Sequence, residues 1–314
     1  MKFCLESLKL KVKMQERKSF NFPPKILYEN RYCNQDDFSV LVCGGMNEKS
    51  IDLKSVYKLD GPKFDCEMFT SMPKRLWNCK TAVINSDLFV FSREFSSNSK
   101  VKTVYKFCTK TKTWSTETRL ILNDIGFYVC SFKKNLYVVY SIGKCFVYNL
   151  KNKTWTELAK MMKHRQLAAC SVFEGKIVVT GGYDDYNSFK SVEAYDYYEN
   201  KWTYLPDMIK HKSSHAQVSM GNKLFVFKEK QDDILSEVFD SVSRKFTLFQ
   251  PYNSRQGYCS HVQAFSVGCN IVAFSYHFEY TGIFIYDVQN NRWRNHVKDL
   301  QNLRYVSCVK LSKF

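Results

Sequence analysis

Of the chain's 314 residues, 47 are Lys or Arg and 30 are Asp or Glu, a net charge of +17, and 45% are hydrophobic and 16% aromatic. This composition excludes a disordered chain, which would lack the apolar surface needed to collapse. No run approaches the roughly 18 uninterrupted apolar residues of a membrane-spanning helix. The 12 Cys include no CxxC pair and no zinc spacing. Cys43, Cys130, Cys170 and Cys308 lie inside apolar runs and read as small buried hydrophobes of a reducing intracellular protein, cytoplasmic first and nuclear second. The segment MKFCLESLKLKVKM interrupts its leucines with Lys and Glu, so it does not read as a signal peptide. The lysines are scattered through short turns, which describes a solvated basic surface able to steer an acidic partner rather than a nucleic-acid site.

In chain order, residues 1–22 are short, charged and helix-compatible, Pro23-Pro24 breaks that segment, and residues 23–37 read as a linker. From residue 38 a unit repeats. An apolar strand recurs as VLVCGG (40–45), LFVFSR (88–93), LYVVYS (136–141), IVVTGG (177–182), LFVFKE (224–229) and IVAFSY (271–276). In each copy a second strand follows, closed by an acidic or polar residue six positions before an aromatic: Cys108 and Trp114, Asn149 and Trp155, Asp196 and Trp202, Asp240 and Phe246, Asp287 and Trp293. In the first copy the same offset runs from Asp60 to Cys66, so that unit is degenerate. The landmarks 66, 114, 155, 202, 246 and 293 are spaced 48, 41, 47, 44 and 47 residues. Each unit contains only short β-like runs separated by turn residues.

The double glycines Gly44-Gly45 and Gly181-Gly182, the Tyr195-Asp196 pair, the Trp six residues on and the period resemble the kelch repeat, whose units form four-stranded blades of a β-propeller. In the other copies Ser92-Arg93, Tyr140-Ser141, Lys228-Glu229 and Ser275-Tyr276 replace the glycines. The resemblance implies an all-β, six-bladed kelch β-propeller over residues 38–311, preceded by the short helical segment. The first copy lacks a strand before its double glycine and the chain ends with an unpaired strand, residues 304–311, so the C-terminal strand is expected to close the first blade. Residues 1–22 resemble the last helix of a BACK domain, as in kelch-like adaptors that carry BTB and BACK domains ahead of their propeller.

No P-loop, dinucleotide fingerprint, HExxH, GxSxG or sialidase Asp-box is found, so no catalytic residue, cofactor or metal is assigned. His211 and His215 lie four apart but on a loop-to-strand segment, too loose for a metal pair. Trp114, Trp155, Trp202 and Trp293 recur with the period and read as packing residues.

The resemblance places partner binding on a face made of the loops after the double-Gly strands and the links between blades. The first set offers Tyr183, Asp184, Tyr186, Asn187, Tyr276, His277 and Tyr280, a mixture of aromatic and hydrogen-bonding groups suited to a peptide. The second offers a recurring basic residue, Arg75, Arg165, Lys212, Arg255 and Arg304, expected to ring a central opening and favour carboxylates. The implied function is a non-catalytic protein-interaction module, the substrate-recognition part of a cullin-RING ubiquitin ligase adaptor. Its partner would be a protein substrate bound through an acidic segment, with a cullin scaffold where BTB and BACK domains exist in a longer form. An actin-binding kelch protein is the alternative and a propeller enzyme a distant third; no membrane partner is expected.

Overall fold

A computed structural model describes residues 38–47, 49–61, 63–76, 78–92, 101–121, 126–227, 236–249, 261–276, 281–296, 303 and 305–311. The expected helix over 1–22 and the linker 23–37 lie outside them. The described residues form six four-stranded antiparallel sheets. From inside outward, blade 1 is Ser307–Leu311, Ser39–Cys43, Ser55–Asp60 and Asp65–Ser71; blade 2 is Lys80–Ile84, Asp87–Phe91, Val101–Cys108 and Thr113–Ile121. Blade 3 is Phe127–Phe132, Asn135–Tyr140, Cys145–Asn149 and Thr154–Leu158; blade 4 is Ala169–Phe173, Lys176–Thr180, Val192–Asp196 and Lys201–Leu205. Blade 5 is Ala216–Met220, Lys223–Phe227, Ser236–Asp240 and Lys245–Phe249; blade 6 is His261–Val267, Asn270–Tyr276, Thr281–Asp287 and Arg292–His296. The first strand of each blade touches the first strands of its two neighbours, so the six sheets form a closed ring.

The C-terminal strand closes blade 1 as its sequence position suggests. It pairs with Ser39–Cys43 in antiparallel register, Val40 opposite Lys310 and Val42 opposite Cys308. The neighbouring blades then lock onto it. Thr81 of blade 2 shares a 2.8 Å hydrogen bond with Ser307. Gln263 of blade 6 donates to the Val306 carbonyl at 3.0 Å and accepts the Cys308 N–H at 2.7 Å.

The core is a ring of slabs, one between each pair of adjacent blades. Because side chains alternate along a strand, one second strand feeds two slabs. Val40 and Val42 join Val272 and Phe274 between blades 1 and 6, while Leu41 and Cys43 join Leu88 and Val90 between blades 1 and 2. Covered on both faces, these strands are unbroken apolar runs rather than alternating ones.

The six-residue offset has a physical cause on the face carrying the third-to-fourth-strand turns. The residue that closes the third strand caps the turn: Asp196 Oδ1 accepts the N–H of Tyr198 at 2.9 Å, Asp240 Oδ1 that of Val242 at 2.9 Å, and Asn149 Oδ1 that of Lys151 at 2.9 Å. The residue just before each cap lies in register with the aromatic of the next strand. The resulting pairs are Phe107–Trp114 at 5.1 Å, Tyr148–Trp155 at 4.9 Å, Tyr195–Trp202 at 5.4 Å, Phe239–Phe246 at 5.0 Å and Tyr286–Trp293 at 5.0 Å. Such pairs contribute about 0.5–1.5 kcal/mol each beyond burial. Three indoles also reach the preceding blade, where Trp114, Trp155 and Trp202 donate to Thr70, Thr118 and the Ala159 carbonyl. In blade 1 the register pair is Leu59 and an exposed Cys66. The turn residue Phe64, fully buried against Phe38 at 5.5 Å, supplies the missing ring.

Candidate functional site

The opposite face carries the loops between second and third strands and the linkers between blades. It is built by close approach of these two sets. Gly45 N–H donates to the Leu76 carbonyl and Gly182 N–H to the Lys212 carbonyl, at 2.9 and 2.7 Å. A Cβ on Gly44 or Gly181 would stand 2.2 or 2.3 Å from those same oxygens, and both glycines have positive φ. This is why Gly44 and Gly181 cannot be other residues. In blade 3 the same connection is a tight turn, with Tyr140 N–H bonded to the Lys144 carbonyl at 2.8 Å.

Two linkers on this face are fixed by buried glutamates. Glu193, in the third strand of blade 4, accepts the N–H groups of Met162 at 2.7 Å and Lys163 at 3.2 Å. It also accepts Arg165 Nε at 3.0 Å and Nη2 at 2.8 Å. Arg165 donates onward to the Gly181 carbonyl at 2.7 Å and the Ser191 carbonyl at 3.0 Å, so one guanidinium holds both ends of the blade 4 loop. Blade 5 repeats the device: Glu237 accepts Ile209 N–H at 2.6 Å, Lys210 N–H at 3.0 Å and the Lys212 ammonium. In both pairs the side chains are almost wholly shielded from solvent, where a charged hydrogen bond is strong and an unpaired charge costly.

The basic ring expected from the sequence is corrected by this geometry. Arg165 is 0% exposed and Lys212 is buried, each engaged by a glutamate, so neither is offered to a partner. Nor does Arg75 occupy an equivalent place. Leu76, Arg165 and Lys212 make matching backbone bonds to the preceding blade, to the carbonyls of Leu53, Ser141 and Phe189. Arg75 falls one residue earlier and is exposed. Arg255 and Arg304 lie outside the described residues.

The aromatic loop of blade 4 is present. Asp184 Oδ1 accepts the N–H groups of Tyr186 and Asn187 at 3.0 and 2.8 Å. Those two bonds, more than the field of Lys163, hold its carboxyl below the usual range. Tyr183 donates its hydroxyl to Gln166 Oε1 at 3.1 Å, tying the loop to the neighbouring linker. Tyr186 is 90% exposed and Asn187 is also exposed. The Tyr276 side chain, His277 and Tyr280 lie outside the described residues.

The sequence reading did not anticipate the apolar character of this face. Of the thirteen exposed large hydrophobic residues among those described, seven belong to its loops and linkers: Ile51, Ile142, Met162, Leu167, Tyr186, Ile209 and Tyr305. The sequence does carry a signal for them, since KMMKHR (160–165) and DMIKHK (207–212) repeat an apolar residue and a lysine between a buried Met and the buried base. Beside them the first strands of all six blades surround a central cavity of about 740 Å³. Its described lining includes Lys80 and His215 and contains no Asp or Glu. His215 Nε2 bonds Thr180 Oγ1 at 2.8 Å, and Thr180 in turn donates to Gln217 at 2.6 Å. Among the described residues no three His, Cys, Asp or Glu side chains gather to hold a metal ion, and no helix is long and apolar enough to cross a membrane.

The Kelch motif profile matches residues 164–209, from the linker through blade 4. The chain is 30% identical over 179 residues to Kelch-like protein 41b of Danio rerio, covering 54% of this chain and 29% of that protein. It is 28% identical over 200 residues to Kelch-like protein 40 of Xenopus tropicalis, covering 59% and 33%. With Kelch-like protein 36 of Rattus norvegicus it shares 21% identity over 301 residues, covering 86% and 48%. The chain thus spans less than half the length of these relatives. The chain is thus a six-bladed β-propeller that carries a Kelch motif in blade 4 and is similar to kelch-like proteins, consistent with their C-terminal kelch part.

Proposed function

We propose that this propeller binds a protein segment on its linker-and-loop face, acts without catalysis, and recognises substrates for a cullin-RING ubiquitin ligase adaptor. The observation that carries the binding reading is the gathering of exposed apolar side chains on one face, above linkers that Glu193 and Glu237 hold in place. Exposed apolar groups concentrated on one face mark interaction surfaces, and rigid supports reduce the entropy lost on binding. Similarity to kelch-like proteins supports the adaptor role. The test is immunoprecipitation of the endogenous, full-length protein from cells, followed by quantification of cullins, actin and ubiquitylated partners. Co-precipitation of a cullin is the expected result. A bound partner without cullin contradicts the adaptor role and leaves the binding role standing, and stoichiometric actin favours the alternative.

A further inference from the structure

The linkers entering blades 4 and 5 present the same pair of side chains twice, Met162-Lys163 and Ile209-Lys210, in each case with both N–H groups bound to a buried glutamate. Met162 and Ile209 are 47% and 43% exposed, and Leu167, 46% exposed, lies at the mouth of the central cavity. In blade 2 the position of Met162 is held by Pro73, which has no N–H to pin, and the glutamate position is held by Tyr105. The apolar–basic pair pinned by a buried glutamate is therefore a feature of the linkers into blades 4 and 5 among those described.

The charges around these apolar groups are unequal. Lys160, Lys163 and Lys210 form no ion pair among the described residues; Lys163 instead lies 4.8 Å over the Phe189 ring. Of the nearby aspartates, Asp207 stands 3.6 Å from Lys190, leaving Asp184, capped by its own loop and within the field of Lys163, and Asp185 against the three lysines. The adjoining cavity adds Lys80, with no carboxylate among its described lining residues. An apolar surface rimmed by cations excludes a basic or purely hydrophilic partner and complements a chain with the reverse pattern.

Resting on the binding role proposed above, we infer that this part of the face takes an acidic, amphipathic protein segment. Its apolar side chains cover Met162, Leu167 and Ile209, and its carboxylates face Lys160, Lys163 and Lys210. Burial of the apolar groups supplies affinity, and the lysines supply orientation and a salt-dependent association rate.

A phage-displayed library of random 12-residue peptides, selected against this protein, tests the inference with no partner chosen in advance. The expected result is enrichment of peptides combining Leu, Ile, Phe or Trp with Asp or Glu. Their binding should fall at least tenfold for Met162→Glu/Ile209→Glu and several-fold between 50 and 300 mM salt. The control Tyr198→Ser/Val242→Ser, on the opposite face, should bind unchanged. Both double variants alter exposed side chains and should keep the parent's melting temperature; if the Glu variant does not, Met162→Ser/Ile209→Ser replaces it. Enriched peptides that are basic or lack apolar residues, or that bind the Glu variant undiminished, overturn the acidic amphipathic partner and leave the binding role intact. Failure to enrich any peptide overturns both.

Discussion

Arg165 and Glu193 form an ion pair in which Nε and Nη2 both donate to one carboxylate oxygen, at 3.0 and 2.8 Å, with both side chains shielded from solvent. The corresponding places in blade 2 are Leu76 and Tyr105, packed in one apolar cluster. The fold therefore accepts two solutions at this site. Removing one member of a buried ion pair typically costs about 3–5 kcal/mol, so Arg165→Leu and Glu193→Tyr should each destabilise by that order. The double variant should recover part of the loss, because no isolated charge remains. Recovery should improve on adding Met162→Pro, which removes a donor that Glu193 otherwise satisfies. Urea unfolding of the four proteins gives the coupling, and strictly additive losses would show that the two residues do not act as a unit.

Ring closure rests on Ser307–Leu311. Deleting residues 304–314 removes the inner strand of blade 1 together with the bonds from Thr81 and Gln263. The truncated protein should lose its sharp thermal transition or melt at least 10 °C lower, and it should expose apolar surface to a hydrophobic dye. A parent-like melt would place closure elsewhere.

Acid should loosen the turns. The Asp196 carboxyl is held below its ordinary value by the Lys176 hydrogen bond first and then by the Tyr198 N–H, and that of Asp240 by Lys223 first. A carboxyl with a lowered folded-state value stabilises fully above its unfolded value of about 3.9, and that contribution is lost as pH falls through the folded value. Asn149 shows that an amide can cap the same turn. Asp196→Asn/Asp240→Asn should therefore fold, be less stable at pH 7, and lose less stability than the parent below about pH 4. An acid limb identical to the parent's would show that these two carboxyls do not contribute to it.

Thiol reactivity should follow position. Burial pushes Cys79 and Cys145 up to about 12, whereas the hydrogen bond from the Thr111 hydroxyl, then turn N–H groups, lower Cys108. Iodoacetamide at pH 7.5 should label Cys108 and the exposed Cys66 well before Cys43, Cys79 or Cys145, as peptide mass spectrometry would show. Early labelling of Cys79 would mean that blade 2 opens.

The blade rhythm was readable because its causes are local. A capping Asp or Asn and an aromatic on the next strand are fixed by a four-residue turn, and alternation along the second strands fills two slabs at once. The docking face was read only in part. The expected ring of bases counted residues from the linker Met, and that count placed Arg75 beside Arg165 although Leu76 is its structural counterpart. The fate of Arg165 and Lys212 depends on Glu193 and Glu237, each more than twenty residues onward. Those glutamates stand in VEAYD and SEVFD where the other blades have Tyr or Phe. A glutamate where the other blades place an aromatic ring asks for a buried partner, and that signal could have marked both bases as internal.

The most direct measurement is quantitative affinity capture from lysate on the parent, Met162→Asp/Ile209→Asp and Tyr198→Ser/Val242→Ser, all checked for equal melting temperature. Binding through the linker-and-loop face requires a defined set of proteins that the first variant loses and the second retains. If both variants capture what the parent captures, or if the opposite-face variant is the one that loses partners, the linker-and-loop face is not where this propeller binds.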